Sequence, residues 1–182
     1  MATNEARNVI ATDDRITNTN LLDLVDGGET TLHSHAGGTI ASGRRVSLYR
    51  SSAQSVNATT WTTIQLDTEL YDKLNEFDNV TNYTFTPGVT GYYHICGRVT
   101  ISLSATTKEA YARIYKNGTT EIMVDYGVRQ TTNSSCSLML IKTVYLLSTD
   151  SIVVQVYHND TGARNVTGTE IETYLTVDRV ET

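Results

Sequence analysis

The stretch GYYHICGRVTISLS, residues 91–104, decides the fold. Tyr93, Ile95, Gly97, Val99, Ile101 and Leu103 occupy one parity, while His94, Cys96, Arg98, Thr100 and Ser102 occupy the other. Side chains on a strand alternate between faces, so this is a strand with one buried side. Working outward, YARIYKNGTTEIMVDY (111–126) reads as a hairpin, because Asn117 and Gly118 suit the positive φ angles of a two-residue turn. CSLMLIKTVYLL, DSIVVQVYH and TYLTVDRV follow as further strands, separated by the turn-rich STD and NDTGARN. Two of these runs break simple alternation. Leu138, Met139, Leu140 and Ile141, and then Ile152, Val153 and Val154, are apolar on both parities. A strand wet on one side does not need this pattern, and a sequence with almost no helix signal offers nothing of its own to cover the second face. The pattern therefore predicts that copies of the chain cover one another.

Composition agrees with an all-β chain. Tyrosine, with 11 copies, is the main aromatic, proline occurs once, and 39% of the 182 residues are hydrophobic, enough for one compact domain and an extension. Twenty acidic residues against 14 basic ones give a net charge of -6, and the longest basic run is Arg44–Arg45, which argues against nucleic acid as a partner. No apolar run approaches the roughly 18 to 20 residues of a membrane span, and the first residues lack the pattern of a secretion signal, so a soluble chain without membrane insertion is expected. Cys96 and Cys136 are the only cysteines and are read as free thiols.

Residues 1–43 differ in texture from 44–182, and the two segments are taken as separate units. The first contains polar coil, a short apolar cluster NLLDLVDGG with the caps of a helical turn, and TLHSHAGG at 31–38. On extended backbone His33 and His35 point to the same side. One chain gives two imidazoles, but three chains about an axis give six nitrogens, suited to an octahedral transition metal such as iron, nickel, cobalt or zinc. Ala36, Gly37 and Gly38 would let the three backbones approach. His33 and His35 are thus the candidate ligands of a structural metal on a trimer axis.

The runs WTTIQLDTELYDKLNEFD, YTFTPGVTGYYHICGRVTI, YARIYKNGTT, VYLLSTDSIVVQVYH and TYLTVDRV resemble the globular domain of complement component 1q and its relatives in the tumour necrosis factor superfamily, over residues 45–180. The resemblance is greatest to versions found in bacteria and in bacteriophage structural proteins, and its most specific element is FTPGVTGYY at 85–93. It implies an all-β, ten-strand antiparallel jelly-roll sandwich that forms a homotrimer, and a binding protein without catalytic residues. The collagen-like repeat of the complement proteins is absent. TLHSHAGG in turn resembles the His-x-His segments at the axis of intertwined trimeric phage fibres.

Together these features lead to a trimeric structural and adhesion protein on the surface of a phage particle, made in the host cytoplasm: a tail-fibre, spike or head-fibre tip. Its N-terminal segment would engage other virion proteins and its head a host-surface glycan or protein. The alternatives are a capsid decoration or assembly protein without receptor binding, and a secreted bacterial lectin-like module. Loops carry recognition more often than sheets, which nominates Tyr126, Arg129, Gln130, Asn133, His158, Asn159, Asp160 and Arg164 as ligand contacts. Asp67, Glu69, Asp72, Glu76 and Asp78 lack calcium-loop spacing and are read as a solvated acidic loop. No nucleophile motif, phosphate-binding glycine loop or H-E-x-x-H is present, so no catalytic residue is nominated.

Overall fold

The structure, a computed structural model, describes residues 44–104, 107–128 and 135–180. His33, His35, Arg129, Gln130 and Asn133 lie outside the described residues, as does the expected helical turn near Leu21. Among the described residues there is no helix. Thirteen strands are present: β1 (Arg45–Tyr49), β2 (Gln54–Val56), β3 (Thr62–Thr63), β4 (Thr68–Asp72), β5 (Phe77–Asp78), β6 (Thr84–Phe85), β7 (Gly91–Ser102), β8 (Glu109–Lys116), β9 (Thr120–Val128), β10 (Ser135–Leu146), β11 (Ile152–His158), β12 (Arg164–Val166) and β13 (Tyr174–Val180). Several have only two or three residues, so the count exceeds the ten expected while the architecture is the same.

The strands form two antiparallel sheets that face each other. The seven-stranded sheet runs β2-β12-β7-β13-β1-β4, with β10 on the other side of β7, and the six-stranded sheet runs β5-β6-β11-β8-β9, with β3 also on β11. Strand β7 is the spine of the first sheet. It pairs with β10 along its full length, from Gly91–Leu146 to Ser102–Ser135, and with β13 from Tyr92–Val180 to Arg98–Tyr174. The parity read from residues 91–104 holds: Tyr93, Ile95, Val99 and Ile101 are essentially inaccessible. They meet Val46, Leu48, Leu138, Leu140, Leu175 and Val177 of their own sheet, and Phe85, Ala112, Ile114, Ile152, Val154 and Val156 of the other, in one continuous core.

Turns and corners follow from local chemistry. Asn117 and Gly118 take φ of 52° and 64°, and the Thr119 N–H donates to the Lys116 carbonyl at 3.0 Å, which is the hairpin expected there. At FTPGVTGYY the Tyr93 hydroxyl turns back to donate to the Val89 carbonyl at 2.6 Å, fixing the approach to β7. Gly88 is needed beside it. A Cβ there would sit 2.6 Å from the Arg44 guanidinium and 2.9 Å from the Glu76 carboxylate, and those two groups form a largely buried ion pair.

The acidic stretch is less solvated than its sequence implies. Glu76 is buried on Arg44 and also accepts from the Gly88 N–H at 2.6 Å, while Asp67 takes the Arg50 guanidinium together with the Ser51 N–H and hydroxyl. Asp72 accepts from the Phe77 N–H at 2.7 Å, and Asp78 from the N–H groups of Val80, Thr81 and Asn82. Asp72, Glu76 and Asp78 thus hold the β4–β6 connection together, and Asp67 ties the chain before β4 to the end of β1. Cys96 and Cys136 are free, the first on the outward side of β7 and the second facing inward on β10.

Candidate functional site

Two outward faces are left once the core is closed. On the seven-stranded sheet, the register stacks outward side chains into rows across neighbouring strands. Tyr145, Tyr92 and Val180 form one row; Thr143, His94, Asp178 and Arg45 the next; then Ile141, Cys96, Thr176, Ser47 and Tyr71; then Met139, Arg98, Tyr174 and Tyr49. Tyr92 and Tyr145 meet edge to face with centroids 5.1 Å apart. Ile141 is 51% exposed and Tyr145 50%, while Met139, Tyr92, Tyr71 and Val180 are also open. This is the second apolar parity of 138–141, and no other element within the described residues covers it. The polar groups on the face pair with one another: His94 with Thr143 at 3.1 Å, Arg45 with Asp178 at 3.2 Å, and Arg98 with Ser137 at 2.9 Å. A shallow cavity of about 370 Å³ opens here between Leu70, Arg98, Ile171 and Tyr174.

The outward face of the six-stranded sheet has a different character. Tyr157, Tyr111 and Tyr126 are direct cross-strand partners on β11, β8 and β9, and Trp61, just before β3, extends the row beyond Tyr157. Successive centroids are 5.6 Å (Trp61–Tyr157), 5.9 Å (Tyr157–Tyr111) and 4.9 Å (Tyr111–Tyr126). On one side of the row lies Glu109, whose carboxylate accepts from the Tyr111 and Tyr126 hydroxyls at 3.4 and 3.3 Å and from the Asn159 amide at 3.1 Å. Desolvation first, and then the neighbouring Glu109 charge, push the Tyr111 and Tyr126 hydroxyls above the usual tyrosine pKa. On the other side lies Arg113, its guanidinium 4.0 Å over the Trp61 ring and 3.8 Å over the Tyr115 ring, held by the Gln155 amide oxygen at 2.8 and 3.0 Å. Trp61, Glu109, Tyr111, Tyr157 and Asn159 line a depression of about 300 Å³.

Of the loop residues nominated from sequence, the structure brings Tyr126 and Asn159 together at Glu109. His158, Asp160 and Arg164 have other work. His158 continues the inward parity of Ile152, Val154 and Val156 and is fully buried, with its Nε2 on the Val56 carbonyl at 3.2 Å and its Nδ1 accepting from the Asp160 N–H at 3.2 Å. Asp160 is buried too and accepts from the Ser104 N–H and hydroxyl, both at 2.6 Å, and from the Thr161 N–H at 2.7 Å, while Arg164 pairs with it at 2.7 Å. Burial pushes the Asp160 carboxyl up, but these donors prevail and hold it far below the usual carboxylate range. His158 and Asp160 are therefore corrected from ligand contacts to a buried clamp between the chain after β7, the end of β11 and β12, while Arg164 is part-exposed and closes that clamp from the surface. Trp61, Tyr111, Tyr157, Glu109 and Arg113 were absent from the sequence nominations, although the shared outward parity of Glu109, Tyr111, Arg113 and Tyr115 is visible in EAYARIY.

Two facing antiparallel sheets in this strand order, closed over a single core, define a jelly roll of the tumour necrosis factor and complement 1q type. Comparison with solved structures agrees. The Eiger tumour necrosis factor of S. frugiperda superposes with a TM-score of 0.62 at 7% identity, over 76% of this chain and 93% of that one. Murine APRIL gives 0.57 at 12% identity, over 76% and 99%. The globular domain of zebrafish complement 1qA gives 0.54 at 15% identity, over 74% and 94%. Neither a protein-family model nor a curated protein sequence matches the chain.

Proposed function

We propose that the chain is a homotrimeric structural and adhesion protein of a phage particle, a fibre or spike tip whose jelly-roll head meets a host-surface ligand. The observation that carries this reading is the outward face of the seven-stranded sheet. Its rows expose Tyr92, Met139, Ile141 and Tyr145, while His94, Arg45, Asp178 and the Arg98 terminal nitrogen already have partners within the sheet, so a further protein surface covers it at reduced desolvation cost. Two identical neighbours about a threefold axis are the cover that a single gene product supplies, and three rigidly held heads gain avidity from weak individual sites.

The phage setting rests on the resemblances of residues 45–180 and of TLHSHAGG. Under it, residues 1–43 intertwine and engage other virion proteins, and His33 and His35 from three chains hold one structural transition metal. The role is binding rather than catalysis. Native mass and metal analysis of the full chain test the assembly: three chains and one metal per particle are expected. Adsorption of the purified protein to host cells tests the rest. Saturable adsorption that blocks infection is expected, and its absence at high concentration would leave a decoration or assembly role instead.

A further inference from the structure

The aromatic row on the six-stranded sheet is not needed to close the core, since Tyr111, Tyr157 and Tyr126 all sit on the solvent side of their strands. We propose that it is a binding platform for an uncharged oligosaccharide, with Trp61, Tyr157 and Tyr111 stacking on sugar faces and Glu109 and Asn159 bonding to hydroxyls. This deepens the host-surface role proposed above and rests on it only for the source of the glycan.

Four features of this face select the ligand. First, the rings follow one another across four adjacent strands spaced about 4.8 Å apart, with neighbouring planes tilted by 43°, 67° and 41°, which makes an elongated, ridged surface for successive sugar units and not a box closed around a single group. Second, the flanking charges are mixed, with Glu109 and Lys108 at one side and Arg113, itself paired with Glu121 at 3.5 Å, at the other, so neither a strongly anionic nor a strongly cationic ligand is favoured by the local field. Third, the guanidinium of Arg113 already stacks on Trp61 and Tyr115, so a cation–π partner is built in and a ligand cation is not required. Fourth, the bonds from the Tyr111 and Tyr126 hydroxyls to Glu109 are long, at 3.4 and 3.3 Å, leaving a carboxylate that accepts only and has capacity for a shorter, charge-assisted bond from a ligand hydroxyl. Asn159 adds an amide beside it, though its oxygen is already engaged by the Glu109 N–H at 2.8 Å. Apolar faces with a few convergent polar groups are the usual makeup of a small-molecule site.

The chain contains one tryptophan, and it stands at the end of the row, so its fluorescence reports occupancy directly. The purified full chain is titrated with a panel of neutral oligosaccharides (linear glucans, N-acetylglucosamine oligomers, mannose- and galactose-containing chains), with choline as the cationic comparison. A saturable change in Trp61 emission with at least one sugar is expected. Tyr111→Leu, which keeps apolar bulk but removes the flat ring, should weaken that sugar about tenfold, the order of an aromatic contact, with its melting temperature near wild type. Glu109→Gln, which keeps the shape of the side chain, should weaken it severalfold and covers the case in which Tyr111→Leu folds poorly. No response to any sugar at tens of millimolar, or a response to choline alone, overturns the proposal. Adsorption to host cells separates this site from the broader role. Wild type and Tyr111→Leu adsorbing equally would overturn the site and leave the role standing. Sugar binding by a protein that adsorbs to no cell would support the site and overturn the role.

Discussion

Replacing Ile141 by Asp tests whether the outward face of the seven-stranded sheet is the surface on which copies meet. Ile141 sits mid-strand on β10 beside Cys96 and is 51% exposed, so about half of its side chain remains to be buried. Full burial of such a side chain is worth about 1.5–3 kcal/mol, which leaves about 1 kcal/mol per copy still to be gained in assembly. A carboxylate in its place loses that gain and adds a desolvation cost of about 2 kcal/mol or more, since no basic group faces it directly across the ladder. Three copies give a penalty of about 9 kcal/mol per trimer. Because the midpoint concentration of a monomer–trimer equilibrium follows the square root of its dissociation constant, this moves the midpoint upward by about three decades. Sedimentation equilibrium across a dilution series, with Val80→Asp as an exposed control on the β5–β6 turn, reads this directly. Ile141→Asp should dissociate at concentrations where wild type and Val80→Asp remain trimeric, with its β-sheet circular dichroism intact. An unshifted midpoint, or a wild type that is monomeric throughout, refutes the assignment of the face.

Three further predictions concern the clamp, a close approach and the metal. Asp160 has its pKa depressed in the folded chain, so its contribution to stability is full above the unfolded value of about 3.9 and is lost as pH falls below it; Asp160→Asn should lower the melting temperature at pH 7 and flatten its decline in acid, as read by calorimetry. A Cβ on Gly168 would stand 2.0 Å from the Ser52 carbonyl oxygen, so Gly168→Ala should cost about 2–3 kcal/mol in urea unfolding, whereas Gly162→Ala, with open space around it, should cost far less. Replacing both His33 and His35 by Ala in the full chain should remove the bound metal and lower the melting temperature, measured by elemental analysis and calorimetry.

The fold was legible where a single strand carries its own signal. Alternation in 91–104 placed the core face of β7 because parity is a local property, and the second apolar parity of 138–141 announced an uncovered face for the same reason. The same rule reaches His158 and Asp160, which share the parity of Ile152, Val154 and Val156. NDTGARN has the composition of an exposed turn, yet burial prevails at His158 and Asp160 because Ser104, Arg164 and the Val56 carbonyl satisfy the polar atoms. The aromatic row was not legible. Tyr111, Tyr126 and Tyr157 lie on three strands and Trp61 just before a fourth, and alternation says which face a residue takes but not which residue of another strand stands opposite. That register emerges only when the hairpin at Asn117–Gly118 and the β8–β11 pairing are both set.

The two outward faces are both partly apolar, and the state of their polar groups is what distinguishes them. On the seven-stranded sheet His94, Arg45 and Arg98 each have a partner within the same sheet, so covering that face removes water from bonds already made. On the six-stranded sheet the Glu109 carboxylate has two long contacts from tyrosine hydroxyls and one ordinary bond from Asn159, and a carboxylate is costly to desolvate unless well-placed donors meet it. A second copy of a flat apolar face cannot meet that requirement, whereas a hydroxyl-rich ligand small enough to fit the depression beside Trp61 can. The two proposals therefore divide the molecule by chemistry, self-association on one sheet and ligand on the other, and both rest on side chains that the core does not use.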